Sequence, residues 1–187
     1  MAAPLASWAS RLAEAELSHT LPRRWAHTKG VAGRAAELRG ILGTDAELLV
    51  AAAALHDVGY APRIVVTGFH PLDGARFLRD EHGADRRLLR LVANHSFALL
   101  EAEERGFREA LEEEFPLLGE PLLVDALVYC DMTTTPDGER TTASERVAEI
   151  VGRYEEDGPV GRFIRRAAPE VSAAVERVEA ALVAQPR

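Results

Sequence analysis

The feature that most constrains the fold is a run of eight apolar residues, Leu48 to Leu55, closed by the polar pair His56-Asp57. A helix over this run is apolar on nearly every side, and such a helix is buried. The run is far shorter than the roughly 20 residues that a membrane span needs. Thr44 and Glu47 have the spacing of a capping box, so we predict that the helix begins there and ends before Gly59. The sequence therefore predicts a central buried helix and no membrane association.

The remainder of the chain also indicates helices. Ala, Leu, Arg and Glu are strong helix formers and dominate the sequence, whereas the longest β-branched run, Ile64 to Thr67, has only four residues. The fold class that we expect is all-α. With 187 residues and no shift in composition, we predict one domain over residues 1–187. The predicted helices cover about residues 4–16, 20–41, 48–57, 71–81, 84–96, 99–114, 122–131, 142–154 and 170–183.

The charge and the cysteine content restrict the partners and the location. The formal net charge is -8, which disfavours long nucleic acids because their non-specific binding depends on Lys and Arg at the phosphates. A small phosphorylated substrate needs only a local cationic site and remains compatible. Cys130 is the single cysteine, so no intrachain disulfide is expected, and Met1 to Ser10 lacks a signal-peptide pattern. We therefore predict a cytoplasmic protein.

The pair His56-Asp57 needs an explanation because it ends a buried helix. A buried carboxylate costs several kcal/mol unless it is paired or bound to a metal. A hydrogen-bonded pair that closes the helix would satisfy this requirement. A metal site would satisfy it too, since the C-terminal end of a helix favours a cation. Taken singly, His27, His70, His95 and Asp131 are ordinary residues of helices or helix ends.

Taken in order along the chain, these residues resemble the HD superfamily of metal-dependent phosphohydrolases. That family has a His on a helix, then an adjacent His-Asp, then a distant Asp. Residues 53–59, Ala-Ala-Leu-His-Asp-Val-Gly, are similar to its core motif, and residues 126–131 are similar to its last helix. The resemblance covers about residues 21–134 and implies an HD-type helical bundle. Its implied metal ligands are His27, His56, Asp57 and Asp131.

Two further histidines resemble positions of HD proteins with dinuclear centres, among them bacterial diadenosine tetraphosphate hydrolases of the HD type. They are His70, which begins a predicted helix before Pro71, and His95 on the next helix. The resemblance implies a second ion held by His70, His95 and a bridging, catalytic Asp57. Imidazole and carboxylate ligands suit Fe, Mn, Co or Ni. His19 and His82 match no position and are predicted to lie at the surface.

One position departs from the family pattern. Many HD phosphohydrolases carry a Lys where this chain has Tyr60, so another cation must contact the substrate phosphate. Arg24 lies one helical turn before His27 and therefore on the same face. Arg63 follows in the adjacent loop. Lys29 is the only lysine beside 21 arginines and is a third candidate, although it lies on the other side of the helix from His27.

The resemblance implies hydrolysis of a phosphate ester or phosphoanhydride in a small, nucleotide-like molecule. Two other functions stay open at this point. Some HD proteins use a mixed-valent di-iron centre with the same ligands to cleave C–C or C–P bonds with dioxygen. A non-catalytic, regulatory ligand-binding domain is the third alternative. Three roles are open for residues 142–187, which lie outside the motif. They complete the core, cover the site or form a homodimer contact.

Overall fold

A computed structural model describes residues 4–185 and confirms the all-α fold class. Across these residues there is no β-strand, and only Thr134 and Arg140 pair in an isolated bridge. The α-helices are α1 (Leu5–Leu17), α2 (Pro22–Glu37), α3 (Arg39–Leu42), α4 (Ala46–Leu55), α5 (His70–His82), α6 (Arg86–Asn94), α7 (Ala98–Arg105), α8 (Arg108–Glu114), α9 (Pro121–Met132), α10 (Ala143–Arg153) and α11 (Pro159–Val183).

The apolar helix α4 lies at the centre, as predicted. From residue 51 to residue 55 no side chain is more than 1% exposed. Helices α1, α2, α6 and α9 all pack against it. Its four consecutive alanines allow this close approach because their side chains project so little from the helix surface. The C-terminal end of α4 consequently lies where several helices meet.

The predicted capping box at the start of α4 is wrong. Gly43–Asp45 form a 3-10 turn, and α4 begins at Ala46 without a side-chain cap. The carboxylate of Glu47 instead accepts a hydrogen bond from the backbone N–H of Ala6, at 3.4 Å. Glu47 thus makes a contact between α4 and α1 instead of a capping contact at the start of its own helix.

Two other predicted boundaries are wrong. The helix expected over residues 99–114 is divided into α7 and α8 at Gly106, whose φ of 76° is left-handed. The last helix begins at Pro159 and continues through Pro169. Proline disfavours a helix interior, but burial of Phe163 and Ile164 before it favours one continuous helix.

The C-terminal helices complete the core. Helix α11 packs against α7 and α9, and α10 packs against α11. The apolar residues Ile164, Val171 and Val178 of α11 are at most 1% exposed and belong to the same core cluster as α4. Across residues 4–185, none of the helices combines the length and the apolar character needed to cross a bilayer.

Candidate metal centre

Four histidines from four helices meet beside the C-terminal end of α4. His27 lies on α2, His56 follows α4, His70 begins α5 and His95 follows α6. Their rings form a continuous series: the centroids are 5.4 Å apart for His27 and His56, 5.1 Å for His56 and His95, and 5.1 Å for His95 and His70. The packing of α2 and α6 against α4, and of α5 against α6 and the turn Val58–Tyr60, therefore brings together residues that are distant in sequence.

Backbone carbonyl groups fix the orientation of three of these rings. Nδ1 of His27 lies 2.9 Å from the carbonyl oxygen of Thr135, and Nδ1 of His56 and of His95 each lie 2.7 Å from the carbonyl oxygen three residues earlier. A carbonyl oxygen only accepts, so each Nδ1 carries the proton. Each Nε2 therefore faces the cluster, where loss of any proton that it carries frees a lone pair for a metal, as in metal-binding histidines.

Two glycines allow the close backbone contacts that this arrangement needs. A Cβ atom at Gly59 would lie 2.0 Å from the carbonyl oxygen of His70, so only glycine lets the start of α5 approach Asp57. Gly138 has a φ of 85°, and a Cβ there would lie 2.3 Å from the carbonyl oxygen of Ala26. This second contact holds the loop after α9 against α2, where Thr135 reaches His27.

Asp57 stands between two groups of histidines. Its Oδ2 lies 3.4 Å from Nε2 of His56 and 3.9 Å from Nε2 of His27. Its Oδ1 lies 3.4 Å from Nε2 of His70. Two sets of three side chains are close enough to hold an ion each, and Asp57 belongs to both: the sets are His27, His56 and Asp57, and Asp57, His70 and His95.

Asp131, at the end of α9, adds a carboxylate to the first group. Its Oδ1 lies 3.0 Å from Nε2 of His27 and 3.8 Å from Nε2 of His56. Its Oδ2 accepts a hydrogen bond from the hydroxyl of Ser96. Ser96 and Phe97 both have left-handed backbone, with φ of 48° and 62°, which costs on the order of 1–3 kcal/mol per non-glycine residue. This strained turn places the hydroxyl group of Ser96 beside the carboxylate of Asp131.

The electrostatics of the cluster favour a bound cation. Burial alone raises the pKa of the Asp57 carboxyl, but Arg24 and His56 outweigh it and hold that pKa well below its ordinary value. Burial lowers the pKa of both His70 and His95, so these two rings are neutral and keep their lone pairs. Burial also lowers the pKa of His56, but Asp57, Asp131 and the carbonyl group of Ala53 together outweigh it and raise that pKa to about 9. A metal ion at His56 must therefore displace a proton.

Several nitrogen atoms of the cluster lie close together and are poorly satisfied without a cation. Nε2 of His56 is buried and has no hydrogen-bond partner within residues 4–185. Nε2 of His70 and Nε2 of His95 lie 3.2 Å apart, and Nε2 of His27 lies close to a carboxylate oxygen. Neutral imidazole and carboxylate are ligands of divalent transition metals. The residues present thus fit a metal site.

Comparison with known families agrees with this geometry. The chain matches the HD domain family over residues 24–133, which is more than half of its length. The chain belongs to the HD-domain family. HD-domain proteins bind divalent metals and are generally metal-dependent hydrolases. No curated protein and no solved structure matches the chain in the same comparisons.

The two groups of candidate metal ligands open into one cleft, which we call the metal cavity. Residues of the HD motif and of the C-terminal helices line it together, so α10 and α11 cover the site as well as completing the core. From the motif come Arg24, His27, Asp57, Tyr60, His70, His95 and Asp131; from the C-terminal helices and the residue after α10 come Arg146, Ile150, Arg153, Tyr154 and Phe163.

The three candidate phosphate-binding cations lie in different places. Arg24 lines the metal cavity, and its Nη1 donates to Oδ2 of Asp57 at 2.7 Å. Lys29 is exposed, and its Nζ lies 5.4 Å from the centre of the Trp25 ring, away from the HD-domain cluster. Arg63 donates to Glu16 at 2.7 Å and to Glu81 at 3.2 Å, outside the cavity. The structure thus brings only Arg24 to the metal centre.

Sequence reasoning missed three side chains of this HD-domain site. Ser96 is adjacent to His95 but carries no motif of its own. Arg146 and Arg153 lie beyond the HD motif, on α10. Their spacing with Ile150 places all three on one face of a helix, and that face was the available signal. His19 and His82 are exposed, as predicted.

Proposed function

We propose that this HD domain is a metal-dependent phosphohydrolase that cleaves a phosphate ester or phosphoanhydride in a small, nucleotide-like molecule. Two divalent transition ions, from among Fe, Mn, Co and Ni, would be its cofactors. His27, His56, Asp57 and Asp131 would hold one ion. His70, His95 and the shared Asp57 would hold the other.

The observation that carries the proposal is the position of Asp57. One carboxylate oxygen faces His27 and His56, and the other faces His70. Both groups open into one cavity, and Arg24 lines that cavity too. Adjacent cation sites beside an arginine suit a substrate with a phosphoryl group, because its oxygens carry negative charge.

The side chains have distinct roles in this proposal. A divalent ion supplies Lewis acidity, which makes water a nucleophile near neutral pH and withdraws charge from a phosphoryl oxygen. Asp57 stays ionised because its pKa is low, so it serves as a ligand and not as a proton donor. Arg24 keeps further N–H groups that can donate to a phosphoryl oxygen. Ser96 holds the Asp131 carboxylate in place.

The test is a substrate screen on protein that has been stripped of metal and reloaded with each of the four metals. Nucleoside mono-, di- and triphosphates and diadenosine tetraphosphate are the substrates, and released phosphate or nucleotide is measured. Oxygen uptake by the iron-loaded protein is followed in parallel. We expect hydrolysis that needs added metal and is lost in Asp57→Ala. Oxygen consumption without hydrolysis would instead support the oxygenase alternative.

A further inference from the structure

A second cavity lies next to the metal cavity and is lined by arginines. Four residues line both cavities, namely Arg24, His27, Arg146 and Arg153. Arg23 completes the charged lining of the second cavity, and among the described residues no carboxylate side chain lines it. Arg23 is paired with Asp137 and Arg24 with Asp57, so the excess positive charge comes from Arg146 and Arg153, which share one carboxylate. In a chain with a net charge of -8, this local excess attracts an anion. We call this second cavity the arginine cavity.

The guanidinium group of Arg146 is only partly paired. Its side chain is 8% exposed. Its Nη1 donates to Oε2 of Glu149, but its buried Nε has no hydrogen-bond partner within the part of the chain that the structure describes. A buried donor without an acceptor costs about 1–3 kcal/mol. The guanidinium group of Arg146 is therefore only partly satisfied beside the cavity that it lines.

Glu149 holds both arginines of α10. Its Oε2 accepts from Arg146, and its Oε1 accepts from Nη2 of Arg153. One carboxylate thus neutralises only half of the charge of two guanidinium groups. Glu149 itself is 38% exposed, so it can turn into solvent while the arginines keep their positions. Guanidinium groups bind phosphoryl oxygens through paired N–H donors, as they bind a carboxylate.

We propose that Arg146 and Arg153 form a subsite for a second phosphoryl group of the substrate, which displaces Glu149. The inference rests on the proposed function, which places the reacting phosphoryl group beside Asp57. Because Arg24 and His27 line both cavities, two linked phosphoryl groups extend from the metal centre to α10. The preferred substrate is therefore a phosphoanhydride. Helix α10 lies outside the matched residues 24–133, so this preference belongs to the C-terminal helices of the chain.

The test compares the binding of orthophosphate and pyrophosphate to metal-loaded protein by calorimetry, with metal content measured before and after. We expect pyrophosphate to bind the unaltered protein at least about tenfold more tightly, a difference of roughly 1.4 kcal/mol. Arg153→Gln and Arg146→Gln should weaken pyrophosphate binding more than orthophosphate binding, and so reduce this difference. Glu149→Gln should tighten pyrophosphate binding, because it removes a competing carboxylate. No such gain would arise if these residues only stabilised the fold.

Arg165→Gln is the matched control. Arg165 is paired with Glu156, is 38% exposed against 34% for Arg153, and lines neither cavity. Equal affinities for the two anions in the unaltered protein, or equal losses of both in Arg153→Gln, would overturn the subsite. Failure of the proposed function looks different: orthophosphate would not bind and no nucleotide would be hydrolysed. Pyrophosphate binding to metal-free protein that depends on Arg153 would still support the subsite in that case.

Discussion

The guanidinium carbon of Arg24 lies 4.1 Å from the centre of the Tyr60 ring. The same ring stacks on His70, with 3.9 Å between the ring centroids. Tyr60 occupies the position at which many HD phosphohydrolases carry a lysine. In this chain Arg24 of α2 supplies a cation at that place. The ring of Tyr60, in the turn after α4, supports it.

The first prediction concerns this pair. Arg24→Gln should lower kcat/KM for the best nucleotide substrate by about tenfold to a hundredfold, as expected for a charge-assisted hydrogen bond of roughly 1.5–3 kcal/mol. Tyr60→Phe should retain activity because the ring face supports Arg24, whereas Tyr60→Ala should lose part of it. Steady-state kinetics on protein of verified metal content measure these effects. Equal activity of Tyr60→Ala and Tyr60→Phe would contradict the supporting role.

The sequence contained enough to predict the fold class and to single out the clustered histidines, for physical reasons. The apolar run of α4 has to be buried, and polar residues at its end therefore had to be satisfied inside the protein. The helical pattern correctly placed His27 on a helix, whereas His95, predicted on a helix, lies in the turn just after α6. Folding then brought His27, His70, His95 and Asp131 to the pair His56-Asp57, a grouping that the sequence analysis had made only by resemblance.

Contacts between distant segments could not be predicted in the same way. Lys29 was a candidate because it is the only lysine, but the structure places it over Trp25. Arg63 follows the motif closely, yet Glu16 and Glu81 hold it outside the cavity. Conversely, Arg146 reaches the site only because α10 folds back over it. Which arginine faces the cavity depends on tertiary packing, which neither residue type nor spacing reveals.

The second prediction concerns Ser96, whose hydroxyl donates to Asp131. Ser96→Ala should weaken metal binding by about tenfold or more, because groups that orient metal ligands contribute on that scale. Ser96→Gly should weaken it as well, although glycine relieves the left-handed backbone, and Ser144→Ala on the exposed side of α10 is the control. Competition with a chelating dye measures the affinity. If Ser96→Ala binds metal as tightly as the unaltered protein, the hydroxyl does not position Asp131.

The third prediction is that metal removal destabilises the protein. The proposed ligands lie on or next to five helices, α2, α4, α5, α6 and α9, so a bound metal would stabilise the folded state and would have to dissociate on unfolding. Chelation should therefore lower Tm by roughly 5–10 °C, the shift expected when about 2.7 kcal/mol is lost from a protein of this size. Thermal melts before and after chelation, with the metal content measured, test this. An unchanged Tm despite complete metal loss would contradict a site that joins several helices.

The fourth prediction concerns the pH dependence of the metal-free protein. Against the opposing effect of burial, Asp57 and Asp131 together with the carbonyl group of Ala53 raise the pKa of His56 to about 9, from an ordinary value of 6.5. A base with a raised pKa in the folded state contributes stability that is complete below 6.5 and is lost as the pH rises through about 9. Tm of the chelated protein should fall over this range. His56→Gln should flatten the decline, and a decline of equal size in that variant would assign it to other groups.

The last prediction is that the centre holds two ions, with Asp57 in contact with both. The two carboxylate oxygens of Asp57 face different histidines, and His70 and His95 belong to the second group only. Asp57→Ala should therefore lose all bound metal together with activity, whereas His70→Ala should lose one equivalent and keep the ion at His27 and His56. Elemental analysis gives the stoichiometry, and activity is followed while chelated protein is titrated with metal. A full metal content in Asp57→Ala, or activity that saturates at one equivalent in the unaltered protein, would exclude a shared dinuclear centre.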